Sequence, residues 1–253
     1  MSERERANHS VGPTNGLTFF ESKAGLNRIE PIQSTFSLMK KIYLPLLIAV
    51  VLAVYGCHWE GIRGNGHVVT DARPVSAFSE IEASGALQIE WRNGAADLSV
   101  ITDQNLLSHV ENENIGNRLR LSSHGNLWPT HGIKVVFSSP SRNGARLSGA
   151  TRFTATQLSG AKFAIESSGA ARVMLDGKID ELLADMTGAS KLEAESLQTK
   201  TAEISTTGAG HAEVAVSDTL KVSITGAGKV IYSGNPKSIE KHVTGAGSIR
   251  HTE

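Results

Sequence analysis

The chain has 253 residues, with 25 Lys and Arg, 25 Asp and Glu, and one cysteine. Residues 1–56 hold 6 of the basic and 4 of the acidic residues, so residues 57–253 carry a net charge near −2. This balance argues against nucleic acid as a partner, because nucleic-acid-binding domains usually carry a basic excess. A single cysteine excludes a disulfide framework. Aromatic residues, at 5% of the chain, leave no ready stacking platform for bases or sugars.

Residues 39–56 have the layout of a bacterial signal peptide. Lys40 and Lys41 precede an apolar stretch over residues 42–56, and the small residue Gly56 comes before Cys57. The apolar stretch has 15 residues, fewer than the roughly 20 that span a bilayer as a helix. Residues 54–57 resemble a lipobox, the lipidation motif of bacterial lipoproteins. We therefore expect Cys57 to be lipidated and to become the mature N-terminus, the alternative being a free cysteine in a signal or a short anchor.

The segments on either side of this signal have different predicted roles. Residues 1–38 are polar and lack periodicity, so we expect a disordered extension that precedes the true start at Met39. His58, not Asp, follows Cys57. Some bacteria sort lipoproteins by the residue at this position, and the absence of Asp there resembles the signal for the outer membrane. The protein would then be attached to that membrane through its lipid anchor. Residues 57–68 are rich in glycine and predict a tether, and residues 69–253 predict the folded domain.

A tripeptide, Ser/Thr-Gly-Ala, recurs in the C-terminal half with a period of 18 to 20 residues. Its hydroxyl residues are Ser148, Ser168, Thr187, Thr207, Thr225 and Thr244. An extra copy begins at Ser159, in the middle of a period, and an outlier begins far upstream at Ser84. A fixed period near 20 residues is the signature of a repeat architecture.

Around each tripeptide, apolar and polar residues alternate, which predicts half-buried strands. We expect two short strands per repeat, bent at the Gly-Ala pair and closed by turns such as Asp176-Gly177. Such units bury their apolar faces only by stacking. The predicted fold is therefore all-β, a parallel β-helix or β-solenoid with coils of about 20 residues. Six coils at roughly 4.8 Å each would span about 29 Å. Stacking would align the hydroxyl residues into a ladder.

Residues 69–140 are rich in predicted strands but irregular, whereas residues 141–253 hold the regular coils. Asp103 is a predicted N-cap for one or two helical turns that end near Val110. We expect this region to form less regular N-terminal coils that cap the solenoid. The predicted strands cover residues 77–83, 87–92, 97–102, 118–123 and 132–138.

Three features beside the repeats resemble a known family. They are the run from Ala77 to Ala86, the run from Asp103 to Leu107, and the run from Ile231 to Pro236. Together with the Ser/Thr-Gly-Ala repeats, they resemble the putative auto-transporter adhesin, head GIN domain family of bacterial envelope proteins. The resemblance covers roughly residues 70 to 250. It implies a parallel β-helix and frequent lipidation, and it carries over no catalytic residue.

Two residues after most of the repeat alanines there is a basic side chain, and stacking would align these residues into what we call the basic column. A charged column on a solenoid surface is ordinarily solvated, because outward positions must be polar and Lys and Arg discourage edge pairing. The alternative is a stripe that binds anions or glycans. The basic column consists of Arg152, Arg172, Lys191, His211 and Lys229.

An enzymatic alternative rests on acidic residues. Glu166 and Asp185 both lie two residues before a repeat hydroxyl, so stacking would place them about 5 Å apart, as in a retaining polysaccharide hydrolase. Glu195 or Glu203 could join them. Adjacent acids on a solenoid are otherwise plain solvated charges. His124 and His131 flank a Trp-Pro loop and are a weak metal candidate against two solvated loop histidines.

The sequence therefore predicts a lipid-anchored, non-enzymatic envelope protein with an adhesion, scaffolding or surface-binding role. Polysaccharide binding or cleavage is the alternative function. We expect no cofactor and no metal. Expected partners are the membrane, a glycan or an envelope protein. The C-terminal edge, which ends at residues 248–253 without an evident cap, also predicts docking of a partner or of a second copy.

Overall fold

Apolar and polar side chains alternate along each repeat, and most of the regular coils contain one long strand. The computed structural model describes residues 61–252, and it shows a β-solenoid built mainly from parallel strands. The predicted extension (residues 1–38), the predicted signal peptide (residues 39–56) and Cys57 lie outside the described residues. The regular strands are β10 (Gly144–Gly149), β11 (Arg152–Gly169), β12 (Arg172–Gly188), β13 (Lys191–Gly208), β14 (His211–Gly226), β15 (Lys229–Ser233), β16 (Ser238–Gly245) and β17 (Ser248–His251).

The coils bend in two ways. Each long strand ends at a repeat glycine, and the next strand begins three residues later. The predicted turn at Asp176-Gly177 does not end a strand, however, because it lies inside β12. At this corner the pairing register with the neighbouring coils shifts, as in a β-bulge. A bulge lets the backbone turn and still keep most of its hydrogen bonds, so one strand replaces the predicted pair of short ones.

The N-terminal part is less regular, as expected. A 3-10 helix (Gln104–His109) follows Asp103, although the Asp103 side chain makes no capping hydrogen bond to it. The remaining strands are β1 (Ile62–Arg63), β2 (Val68–Ala72), β3 (Glu80–Ser84), β4 (Leu87–Asn93), β5 (Asp97–Asp103), β6 (Val110–Ile115), β7 (Arg118–Ser123), β8 (Leu127–Trp128) and β9 (Ile133–Ser139).

The coils are not stacked in chain order. β3 pairs with β7 on one side and with β10 on the other, and β4 likewise lies between β9 and β11. The coil of β7 to β9 therefore forms the N-terminal end of the stack, although it follows β3 and β4 in sequence. Antiparallel strands extend this end, with β6 on β7 and with β5 and β2 beside β9.

The strand register explains the Ser-Gly-Ala tripeptide at Ser84, which lies outside the regular 18- to 20-residue spacing. Ser84 pairs with Ser148, and the Gly85 N–H donates to the Ser148 carbonyl at 3.1 Å. The tripeptide at Ser84 is thus a true rung of the hydroxyl ladder. The tripeptide at Ser159 is not, because its glycine pairs with Ile179.

The core is a continuous column of inward side chains. Trp91 lies at the centre of an aromatic cluster with Phe78, Phe137, Phe153 and Phe163, at ring-centroid distances of 5.7 to 6.3 Å from Trp91. The Trp91 indole N–H donates to Ser139 Oγ at 2.9 Å, which satisfies its one polar atom. Smaller residues such as Ala212 and Val230 fill the same interior farther along. The core thus has its aromatic cluster toward the N-terminal end and is mainly aliphatic toward the other, where Tyr232 is its aromatic member.

The predicted tether needs a correction, because residues 61–68 lie against the folded body. β1 pairs with β8, and β2 begins at Val68. The Gly66 N–H donates to Asp103 Oδ1 at 2.8 Å. These backbone hydrogen bonds fix a segment whose glycines suggested freedom. We call residues 61–68 the strap.

Candidate functional site

The hydroxyl ladder lies on one outward face of the solenoid. Parallel pairing in register places one hydroxyl on each coil. The ladder continues beyond the predicted six residues to Ser84 and Ser122. In spatial order its members are Ser122, Ser84, Ser148, Ser168, Thr187, Thr207, Thr225 and Thr244.

The basic column lies on the face that follows each bend. Its five members, which the sequence predicts to stack, are successive register partners. Gln88 precedes Arg152 in this column, and Lys134 precedes Gln88. Because alternate residues point to the same side of a strand, a second outward column lies two residues farther along. We call it the flanking column, and it consists of Glu90, Thr154, Met174, Glu193, Glu213, Ile231 and Arg250.

Carboxylates of the flanking column lie close to the two members in the middle of the basic column. Lys191 Nζ lies 2.6 Å from Glu193 Oε1, and His211 Nε2 lies 2.6 Å from Glu213 Oε1. The hydrogen bond from Lys191 lowers the pKa of Glu193, and the same bond raises the pKa of Lys191. This pairing has a sequence signal that the prediction did not use, since each acid lies two residues after its basic partner.

Positive charge remains concentrated at Arg152 and Arg172. Arg152 has no carboxylate within ion-pair distance in residues 61–252, and its neighbours are the neutral Gln88 and Thr154. Arg172 is its direct register partner, and the Arg172 Nε lies 3.9 Å from Glu193, at the outer limit of an ion pair. Of these two adjacent guanidinium groups, only that of Arg172 has a carboxylate within ion-pair distance. We call them the arginine pair.

A second basic position, Lys229, lies four rungs beyond Arg152. Lys229 has no ion pair among the described residues, and Ile231 and Arg250 lie beside it in the flanking column. The basic column therefore has carboxylate partners at 2.6 Å in its middle and none so close at its two ends. Of these two ends, the arginine pair is better suited than Lys229 to an anionic ligand. Guanidinium groups bind carboxylates and sulfate-like groups with two parallel hydrogen bonds.

The predicted acidic pair does lie on adjacent rungs, since Glu166 pairs in register with Asp185. Glu166 accepts a hydrogen bond from Arg146 Nε at 2.9 Å, so an arginine already occupies this carboxylate. Both acids line a surface depression of about 330 Å³ together with Ser148, Ser168 and Thr187 of the hydroxyl ladder. Glu203 lies in a different outward column beside Lys221, and Glu195 lies in a coil corner without a register partner. The structure therefore does not bring the four candidate carboxylates together at one site.

The two loop histidines do not meet at a metal site. His124 Nε2 lies 2.7 Å from Glu111 Oε2, and His131 does not take part in this ion pair. Residues 61–252 contain no group of three or more His, Cys, Asp or Glu side chains arranged to hold a metal ion.

Asp103 is a buried acid whose role the sequence does not reveal. Its carboxylate accepts hydrogen bonds from the Thr130 N–H at 2.8 Å, the Thr130 hydroxyl at 2.9 Å and the Gly66 N–H at 2.8 Å. The N–H of Thr130, with the other donors, lowers the pKa of Asp103 below its ordinary value. Asp103 therefore joins the strap to the loop that follows β8.

These features define a class of protein, namely β-solenoids with long, regular, solvent-exposed faces. Within that class, the chain belongs to the family described as putative auto-transporter adhesin, head GIN domain, whose sequence profile matches residues 77–236. The predicted resemblance is thus confirmed, as is the predicted fold. Membership in this adhesin-like family is consistent with a non-enzymatic role at the cell surface or envelope.

Solved structures share the fold. A putative adhesin from Bacteroides fragilis is 20% identical, with a TM-score of 0.62, over 76% of this chain and 100% of its own. A putative lipid binding protein from Parabacteroides distasonis is 20% identical, with a TM-score of 0.50, over 77% of this chain and 100% of its own. A comparison with curated proteins gave no significant match. Within the described range, no helix has the length and apolar character needed to cross a bilayer.

Proposed function

We propose that the protein is a lipid-anchored, non-enzymatic adhesion module of the bacterial envelope, held in the outer membrane through Cys57. The signal-like layout of residues 39–56 and the lone cysteine after it support the anchor. Family membership supports the adhesive role. The ligand contact that the geometry supports best is the arginine pair, which binds the acidic groups of a surface glycan.

The observation that carries this assignment is the uneven pairing of the basic column. If the column served only for solubility, we would expect each cation to have a similar environment. Instead, Glu193 and Glu213 lie 2.6 Å from Lys191 and His211 in the middle, whereas Arg152 lies beside the neutral Gln88 and Thr154, and Arg172 reaches Glu193 only at 3.9 Å. Guanidinium groups lose less on desolvation than ammonium groups, so they suit a ligand contact.

Retention on an immobilised acidic polysaccharide tests this contact. We expect the protein to bind alginate at low salt and to elute as the salt concentration rises, because exposed ion pairs are screened. An Arg152→Gln/Arg172→Gln double variant should bind about tenfold more weakly, since two exposed charge contacts contribute roughly 1 kcal/mol or less each. The measurement is the dissociation constant at 50 mM and 300 mM salt, an ionic-strength range of about sixfold.

The control variant is Arg146→Gln. Arg146 is an outward arginine on the other face, paired with Glu166 at 2.9 Å, so its loss changes the net charge by as much as either arginine does. It should leave alginate binding almost unchanged. Equal binding to neutral dextran, or equal losses in the control and in the double variant, would contradict the assignment.

A further inference from the structure

The middle stretch of β11 has a strand neighbour on only one side. The first stretch of β11 pairs with β4 as far as Ala155, and the last stretch pairs with β10 from Ala164 onward. Between them, residues 158–163 pair with β12, but no strand of the described residues lies on their other side. We call this gap in the sheet, beside residues 158–163, the notch.

The notch exists because the preceding coil leaves the stack early. β4 ends at Asn93, and the chain then returns as β5, which runs antiparallel to β9. The loop of residues 140–143 passes the gap instead. Between this loop and residues 159–162 lies a depression of about 550 Å³, which is within the range of roughly 300–1,000 Å³ typical of ligand pockets.

Backbone hydrogen-bonding groups at the strand edge face this depression. The Ala164 N–H donates to the Asn143 carbonyl at 2.8 Å, on the side away from β12. The register with β12 is unbroken from Leu158 to Gly169, and alternate residues of a parallel strand direct their N–H and C=O groups to the same side. Lys162 therefore directs its backbone groups into the notch, where the described residues offer no strand to pair with them. An unpaired edge of this kind is a template for an added strand.

The tripeptide in the middle of a period, Ser159-Gly160-Ala161, leaves room for such a strand. Ile179 and Thr199, the register partners of Gly160 in the next two coils, are buried. Gly160 has no side chain, and no atom of residues 61–252 would lie within 4 Å of a Cβ there. The space that a side chain fills in the next two coils is therefore open at the notch.

A buried arginine lines the same depression. Arg142 is only 7% exposed. Its guanidinium donates to the Thr156 carbonyl at 2.6 Å and to the Gln157 carbonyl, and no carboxylate pairs with it in the described part of the chain. Burial accordingly lowers the pKa of Arg142. Arginine is seldom buried without a partner of opposite charge, and a guanidinium has more N–H donors than these carbonyls use.

The other charged side chains of the depression already have partners. Glu80 lies 2.9 Å from Arg118, and Lys162 lies 3.4 Å from Glu181. The uncompensated charge of the notch is therefore the positive charge of Arg142. A carboxylate is the group that complements it, because an arginine binds a carboxylate through charge-assisted hydrogen bonds.

We propose that the notch binds an extended peptide segment of a partner protein, which adds a strand to β11 and places a carboxylate on Arg142. The backbone of the segment exchanges hydrogen bonds with Lys162, and Arg142 selects the carboxylate, from an acidic side chain or from a chain terminus. The notch and Arg152 lie on different stretches of β11, so this interaction does not depend on the proposed glycan contact.

Binding of strand-forming peptides tests this inference. Residues 59–253 form one compact unit that contains the described hydrophobic core, so they fold without residues 1–58. The probe is a pool of capped peptides of Val, Ile, Thr and Tyr with a central Glu, since these residues favour strands. We expect binding with NMR shift changes at the Gly160 and Lys162 amides. A pool with Gln in place of Glu should bind about tenfold more weakly, because charge-assisted hydrogen bonds are roughly twice as strong as neutral ones.

The source of the carboxylate is distinguished by a third pool, which has Gln at the centre and a free C-terminal carboxylate. Tighter binding of the Glu pool assigns an acidic side chain, and tighter binding of the third pool assigns a chain terminus. Arg142→Gln should remove the advantage of the favoured pool and leave the binding of the capped Gln pool almost unchanged.

Two substitutions at one position test strand addition. Lys162→Pro removes the N–H that faces the notch and places the proline ring there, which a strand edge tolerates. It should weaken binding about tenfold or more, since main-chain hydrogen bonds supply the affinity of an added strand. Lys162→Ala is the matched control. It loses the same charge but keeps the N–H, so binding should stay within about twofold, as for an exposed charge.

The melting temperature shows whether the Lys162→Pro variant is folded, and N-methylated peptides supply the same test on the unaltered protein. Methylation of alternate backbone nitrogens should abolish binding on one of the two peptide edges. No binding of any pool would overturn the inference. Equal binding of all three pools, or equal weakening by Lys162→Pro and Lys162→Ala, would also overturn it.

Discussion

The repeat glycine shows at residue scale why the tripeptide tolerates so little change. Gly169, Gly188, Gly208, Gly226 and Gly245 all have φ between +98° and +115°, a region that disfavours side chains. A Cβ at Gly188 would also lie 2.5 Å from the Gly169 carbonyl oxygen. Parallel stacking brings each bend against the one before it, so both constraints recur on every coil.

We predict that Gly188→Ala destabilises the solenoid by about 3 kcal/mol, because backbone strain of 1–3 kcal/mol adds to the steric clash. Gly116→Ala is the control. Gly116 has φ +60° in the turn between β6 and β7, but no atom lies within 4 Å of a Cβ there, so the cost should be about 1 kcal/mol. Urea unfolding measures both changes. Equal midpoints for the two variants would show that the stacked backbone does not contribute.

At the scale of elements, one buried carboxylate links the strap to the loop after β8. β1 contributes only two paired residues, which is too short to hold a segment by itself. Asp103 adds hydrogen bonds to both the strap and the loop after β8. Ionised Asp103 therefore adds to the stability of the strap, beside the Asn105 side chain, which hydrogen-bonds the backbone of Arg63 and Asn65.

We predict that the strap detaches in acid. Because hydrogen bonds lower the folded-state pKa of Asp103, its stabilising contribution is fully present above the unfolded pKa of about 3.9. The contribution is lost as the pH falls through the folded pKa. Asp103→Asn should detach the strap at neutral pH also and flatten the acid dependence. Hydrogen exchange at the Gly66 and Thr130 amides measures this. Asp97→Asn, on the exposed start of β5, should behave like the parent protein.

At the scale of the whole molecule, the two ends of the stack differ. Antiparallel strands extend the N-terminal end, whereas all eight residues of β16 are exposed at the other. Lys241 occupies the inward column that Val222 fills one coil earlier, and its Nζ lies 5.4 Å from the Tyr232 ring centroid. An inward charge at an edge opposes the addition of another coil. The predicted docking of a partner or second copy at this edge stays a prediction.

We predict that Lys241→Ile promotes end-to-end association, because it completes an apolar column on an open edge. Sedimentation velocity over a range of concentrations should show larger species than for the parent protein. Lys221→Ile, which removes an outward lysine on the neighbouring coil, should not associate. If both variants associate equally, general surface hydrophobicity is the cause and Lys241 has no special role.

The sequence predicted most of the fold because the repeat encodes it locally. The strand predicted at residues 118–123 matches β7 in both bounds, and the one at 97–102 is one residue shorter than β5. The order of the coils could not be predicted in this way. Ser84 and Ser148 are 64 residues apart, and no local pattern states that one stacks on the other. The contribution of Asp103 was hidden for the same reason, since its partners come from two distant segments.

The strap also has a mechanical consequence under the proposed function. There, a pull between the anchor at Cys57 and a ligand at the arginine pair acts on the strap first among the described residues. It loads the hydrogen bonds of residues 61–68 one after another, before it reaches the parallel ladder. Peeling these eight residues would release about 27 Å of slack. The strap would thus act as a sacrificial link, which yields under a sudden load while the coils and the basic face remain folded.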